Sequence, residues 1–145
     1  MTSSNRIISR PSSTSQTAKV QELEAYIQAA IPPGLRQLLL TYDEVKFERK
    51  EFERVVDPDY VVGTTLERIG SAGEMLFWQK NMEDQEDFMQ ENILSFGESL
   101  GSPMVCIGIR KENYGKIYVF YYVFYNTLIA GFIESLNLQR LYPVF

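Results

Sequence analysis

Residues 117–133 run for 17 positions without a charge: Ile117-Tyr118-Val119-Phe120-Tyr121-Tyr122-Val123-Phe124-Tyr125-Asn126-Thr127-Leu128-Ile129-Ala130-Gly131-Phe132-Ile133. Such a run has to be withdrawn from water, either by a bilayer or by the rest of the protein. Its length approaches that of a membrane-spanning helix. Yet Tyr118, Tyr121, Tyr122, Tyr125, Asn126 and Thr127 carry polar groups ill suited to the bilayer centre. The run is therefore read as a buried strand followed by a helix, with no membrane. As a strand it places Tyr118, Phe120, Tyr122 and Phe124 on one face and Val119, Tyr121, Val123 and Tyr125 on the other. A central strand covered on both sides accounts for two apolar faces. The alternative leaves the Tyr121 and Tyr125 face to a partner, since tyrosine is favoured at interfaces.

The chain has 145 residues, 45% of them hydrophobic and 13% aromatic, which is enough for one domain with a core of its own. Its one cysteine, Cys106, lies in the apolar run Pro103-Met104-Val105-Cys106-Ile107 and reads as a small core residue. Histidine is absent. Imidazole acid–base catalysis, Ser–His and Cys–His nucleophiles and His-ligated metal sites are thereby excluded together. Residues 1–17 show no apolar core of a signal peptide, so a cytoplasmic location is expected.

Charge is unevenly spread. Arg6, Arg10 and Lys19 stand without an acid in residues 1–19, which leaves 11 bases against 19 acids, a net −8, in the remainder. An acidic body repels nucleic acid and suits a basic partner. From Glu74 to Glu98 there are seven acids and one base, Lys80. Glu83, Asp84, Glu86, Asp87, Glu91 and Glu98 are the candidate contact residues within it. They lack the register of a calcium loop, and nothing marks a catalytic carboxylate pair. A solvated face and a partner-binding surface both remain open for them. No catalytic residue, metal or cofactor is expected.

Residues 1–17 are Ser/Thr-rich and read as a flexible tail, and residues 18–145 as a single domain. Helical spacing predicts a helix over Ala18–Ala30, and Pro33 opens a second over Gly34–Asp43. Val45–Arg49 alternates as a strand does, Phe52–Val56 and Tyr60–Gly63 are rich in β-formers, and Asp57-Pro58-Asp59 is turn chemistry. Thr64 reads as the cap of a short helix through Arg68. Met75-Leu76-Phe77-Trp78 fits strand or helix, and Glu83–Glu91 reads as helical. Strands follow at Ile93–Phe96, Met104–Ile109 and Ile117–Phe124, the last two joined by a hairpin through Asn113-Tyr114-Gly115. Gly97 and Gly101 read as turn glycines like Gly115, with a ligand loop as the alternative. A helix over Leu128–Leu138, capped by Asn126 or Thr127, closes the chain. The fold class is α+β: N-terminal helices, an antiparallel sheet of about six strands, and a C-terminal helix packed on the sheet.

The order of these pieces resembles the SUKH superfamily, which includes the Smi/Knr cell-wall regulators of yeast and many bacterial immunity proteins. The stretches that carry the resemblance are Ile31-Pro32-Pro33-Gly34-Leu35 through Tyr42, Ile93-Leu94-Ser95-Phe96-Gly97 through Gly101, Met104–Ile109, Gly115-Lys116-Ile117-Tyr118, and Leu128–Leu136. The chain departs from the family pattern at Asp43-Glu44-Val45, at Leu100-Gly101 and at Ile109. The resemblance implies a binding protein and not an enzyme. It points to an immunity protein that occludes a cognate toxin, with a nuclease's basic cleft as a fitting target for the acidic residues. An interaction module in a regulatory protein is the alternative it implies. A carboxylate-based hydrolase is the third and most distant reading.

Overall fold

The computed structural model describes residues 5–57, 60–100, 103–125 and 128–135, with the backbone alone between 53 and 64 and beyond 121. Helix α1 spans Thr17–Ile27 and α2 spans Pro33–Thr41. Strands β1 (Glu51–Asp57), β2 (Tyr60–Thr65) and β3 (Arg68–Ile69) lead to helix α3 (Ala72–Asn81) and the single turn α4 (Glu86–Met89). Strands β4 (Ile93–Glu98), β5 (Met104–Gly108), β6 (Ile117–Tyr125) and β7 (Leu128–Ser135) follow. β1 and β2 pair with each other, while β3-β4-β5-β6-β7 form an antiparallel five-stranded sheet in chain order. The α+β class therefore holds.

Alternation along the strands divides the sheet into two covered faces. Leu94, Phe96, Val105, Ile107 and Ile117 join the α1 residues Val20, Leu23 and Ile27 and the α2 residues Leu35, Leu38 and Leu39 in the main core. Ile93, Cys106 and Phe120 point the other way and pack around Phe88 of α4. The Phe88 and Phe120 rings meet edge to face at 5.2 Å between centroids. As far as Phe120, then, β6 is covered on both sides, and the uncharged run enters the sheet. No helix among the described residues is long and apolar enough to cross a membrane.

Several elements differ from the sequence expectation. Leu128–Ser135 is a strand paired with β6, Tyr125 opposite Leu128, where a C-terminal helix was expected. Gly131 disfavours a helix interior, and a two-residue spacing after a strand suits a hairpin. Leu136–Leu138 and the proposed caps Asn126 and Thr127 lie outside the described residues, as do Pro58, Asp59 and Gly101. Thr64 belongs to β2 and Arg68 to β3, so no helix forms between them. Val45 and Phe47 are buried, yet each makes one bridge to a different segment, Ile69 and Ile7, so no continuous strand results. The acidic helix shrinks to α4, anchored by Phe88, while Met89 is exposed.

Residues 5–16 lie along segment 41–49. The Ile8 amide donates to the Lys46 carbonyl at 2.9 Å and the Ser12 amide to that of Thr41 at 2.7 Å. Asp43 Oδ1 accepts from Ser12 Oγ at 2.8 Å and from Gln16 Nε2 at 2.9 Å, and Arg6 pairs with Glu48 at 3.0 Å.

Two glycines fix the β5–β6 hairpin. Gly115 has φ +78°, where a side chain is strained. Gly108 lies so close beneath the turn that a Cβ would sit 2.0 Å from the Asn113 carbonyl oxygen. Gly97, by contrast, sits within β4, and its constraint is room, since a Cβ would come 2.6 Å from Leu66 Cδ1. Gly108→Ala should therefore cost about 3 kcal/mol through forced displacement of backbone. Gly115→Ala should cost about 1–2 kcal/mol for left-handed strain alone. Urea unfolding of the two variants checks this order, and a smaller loss at Gly108 would contradict it.

Candidate functional site

Helix α3 begins with a reciprocal cap. Ser71 Oγ accepts from the Glu74 amide at 3.1 Å, and Glu74 Oε1 accepts from the Ser71 amide at 3.2 Å. The helix is held to the sheet by Gln79, 4% exposed. Its Nε2 donates to the Ile93 carbonyl at 2.9 Å and its Oε1 accepts from the Ser95 amide at 3.4 Å.

One guanidinium ties the surroundings together. Arg68 Nη1 donates to Glu74 Oε1 at 2.9 Å and to Glu44 Oε2 at 3.4 Å, and Arg68 Nε donates to Glu98 Oε2 at 3.1 Å. Arg68 Cζ also lies 5.6 Å from the centre of the Trp78 ring. The hydrogen bond to Glu74 raises the Arg68 pKa above its ordinary value, and the same bond holds the Glu74 carboxyl below the usual glutamate range.

Trp78 forms a wall of a cleft of about 490 Å³. Asn81 and Met82 line it from the end of α3, Ser95, Gly97, Glu98 and Ser99 from β4 and its end, and Pro103 and Met104 from the start of β5. Trp78 also borders an open groove with Asp43, Glu44, Glu74 and Phe77, a residue 63% exposed.

The acidic residues singled out in the sequence fall into two places. Glu83 and Asp84 are exposed on the turn that follows Met82, Glu86 is exposed and Asp87 half-buried in α4, and Glu91 is half-buried just after α4. Tyr26 donates its hydroxyl to Glu83, and burial together with that bond pushes the Tyr26 pKa up to about 12. Among the described residues Asp84, Glu86, Asp87 and Glu91 have no ion-pair partner. Glu98 lies apart from them, bound by Arg68. Tyr121 is half-buried, and the Tyr125 side chain lies outside the described residues. Among the described residues no group of His, Cys, Asp and Glu is placed to hold a metal ion. The Cys106 thiol is fully buried, and burial pushes its pKa far up, which suppresses the nucleophilic thiolate.

Sequence reasoning missed Arg68, Trp78 and Gln79. The signal for α3 was present as Ser71-x-x-Glu74, a capping box that decides helix over strand for Met75–Trp78.

The structure thus defines an α+β domain with a cleft beside an acidic turn. The chain belongs to the SMI1 / KNR4 family (SUKH-1), whose pattern matches residues 15–138. No curated protein and no solved structure matches the chain.

The Arg68–Glu74 pair sets an acid limit on stability. A carboxyl held below its unfolded value contributes fully above that value, about 4.3, and the contribution is lost as pH falls through the lower folded value. Glu74→Gln should therefore be less stable than wild type at pH 7, and the gap should close below about pH 4. Thermal melts across pH 3–7 check it, and a gap independent of pH would contradict the assignment.

Proposed function

We propose that this protein is an immunity protein: a cytoplasmic, non-catalytic binder that neutralises a cognate bacterial toxin by covering its active cleft. The observation that carries the reading is the run of carboxylates at Asp84, Glu86, Asp87 and Glu91, without an ion-pair partner among the described residues, along the α3–α4 segment of a SUKH-1 domain. A toxin that cleaves nucleic acid has a basic cleft, and an acidic face opposes it directly. Such charges act mainly through steering, which raises association rates and fades with salt. Glu83, Asp84, Glu86, Asp87 and Glu91 supply the field, and Tyr121 and Tyr125 are a separate candidate apolar contact on β6.

The test is co-expression with the toxin domain encoded by the neighbouring gene. Survival, with a complex on a sizing column, is expected. Continued killing without a complex would overturn the reading, and a complex without protection would favour a regulatory interaction module. In the complex, replacing the five turn acids by Gln and Asn should slow association and flatten its dependence on ionic strength. At the exposed sites Asp84 and Glu86 stability should change by no more than about 1 kcal/mol each, because exposed charges contribute little. Equal salt slopes for wild type and variant would reduce the turn to a solvated face.

A further inference from the structure

We propose that the cleft beside Trp78 receives an arginine side chain of the protein partner, and that this pocket, not the acidic turn, determines how long the complex lasts. The inference rests on the partner being a protein with a basic surface. Its carrying observation is the chemistry of the walls. Trp78, Met82, Pro103 and Met104 offer an apolar channel in a cleft of about 490 Å³, and Glu98 lines it as the acid. A guanidinium on a three-carbon stem matches that order, with the stem against the apolar wall, the planar head against the indole and a carboxylate at its edge.

The protein already uses this combination once. Arg68 lies against Trp78 at 5.6 Å and binds Glu98 at 3.1 Å. The Glu98 side chain remains 49% exposed in that pair, so it has capacity for a second donor from the cleft side. Charge favours a cation there. Glu44, Glu74 and Glu98 meet Arg68 and, through Glu44, Lys46, which leaves the cluster one negative charge in excess. Lysine has the charge without the planar head, so arginine is the better occupant. An aromatic ring beside a charged group in a partly enclosed pocket is the kind of place where a few residues dominate an interface. Turn and cleft then divide the work, the turn acting on association and the cleft on dissociation.

Trp78 is the sole tryptophan of the chain, so its fluorescence reports on the cleft directly. The probes are blocked five-residue peptides, identical except for a central arginine, citrulline or glutamate, titrated at constant ionic strength. Citrulline keeps the shape of arginine and removes the charge. The expected result is a saturable fluorescence change with the arginine peptide, at least about fivefold weaker with citrulline, as one charged contact with an aromatic face implies. Glutamate should give none. Glu98→Gln should weaken the arginine response, and Met104→Lys, which sets a cation in the pocket, should abolish it. Equal responses to arginine and citrulline would overturn the inference, as would an arginine response unchanged in both variants. A positive titration combined with failed protection by co-expression would overturn the immunity reading and leave the pocket standing. Protection with no arginine response would overturn the pocket alone.

Discussion

Among the described residues, strand β4 has no strand beside it on the β3 side between Ile93 and Ser95, because β3 ends after two residues. The carbonyl of Ile93 and the amide of Ser95 are instead met by the side chain of Gln79, which presents a donor and an acceptor as a neighbouring peptide would. Left unpaired, each buried group would cost about 1–3 kcal/mol. The geometry of this substitution fixes how α3 is rotated on the sheet. With residue 79 turned inward, Trp78 is swung to the side and borders the cleft, while Phe77 faces water. The cleft beside Trp78 is thus a by-product of the way a short edge strand is completed.

Arg68 settles the same region electrostatically. Its partners come from the segment after α2, from the first turn of α3 and from the end of β4, so one side chain relates three pieces of backbone far apart in sequence. These contacts are half-shielded, whereas Glu83, Asp84 and Glu86 of the α3–α4 segment stand in water and feel screening within about 10 Å at ordinary salt. The two sets of carboxylates therefore differ in kind. Those around Arg68 hold positions, and among them Glu74 is kept below the usual glutamate range by its bond to Arg68. Those on the turn create a field and respond to ionic strength.

Much of this was legible in the residues. Proline at the start of α2, the apolar stripes Val20-Leu23-Ile27 and Leu35-Leu38-Leu39, and the turn before Gly115 all carry local signals, and the structure follows them. The failures arise where the deciding partner is distant. Val45 and Phe47 alternate as a strand does, yet their neighbours are two separate segments. Leu128–Ser135 has helical spacing and strand-like composition at once, and pairing along β6 decides for the strand. Glu98 carries no mark in the sequence that separates it from the acids of the turn. Only the fold brings it to Arg68, thirty residues before it.

The five-stranded sheet is laid down in chain order, each strand beside the one just before it. No strand waits for a remote segment to complete its ladder. From β4 to β7 the connections are short, while α3 and α4 bridge β3 to β4, so closure of the last three pairings costs little entropy and assembly there can advance from one hairpin to the next. The contacts that span the longest distances come afterwards, when Arg110 Nη2 and the Tyr114 hydroxyl on the β5–β6 connection donate to the Ile27 and Ala30 carbonyls at and just past the end of α1, each at 2.9 Å. The β4–β7 part of the sheet thus lends itself to folding in step with synthesis, with one growing edge at a time, before it is locked onto α1.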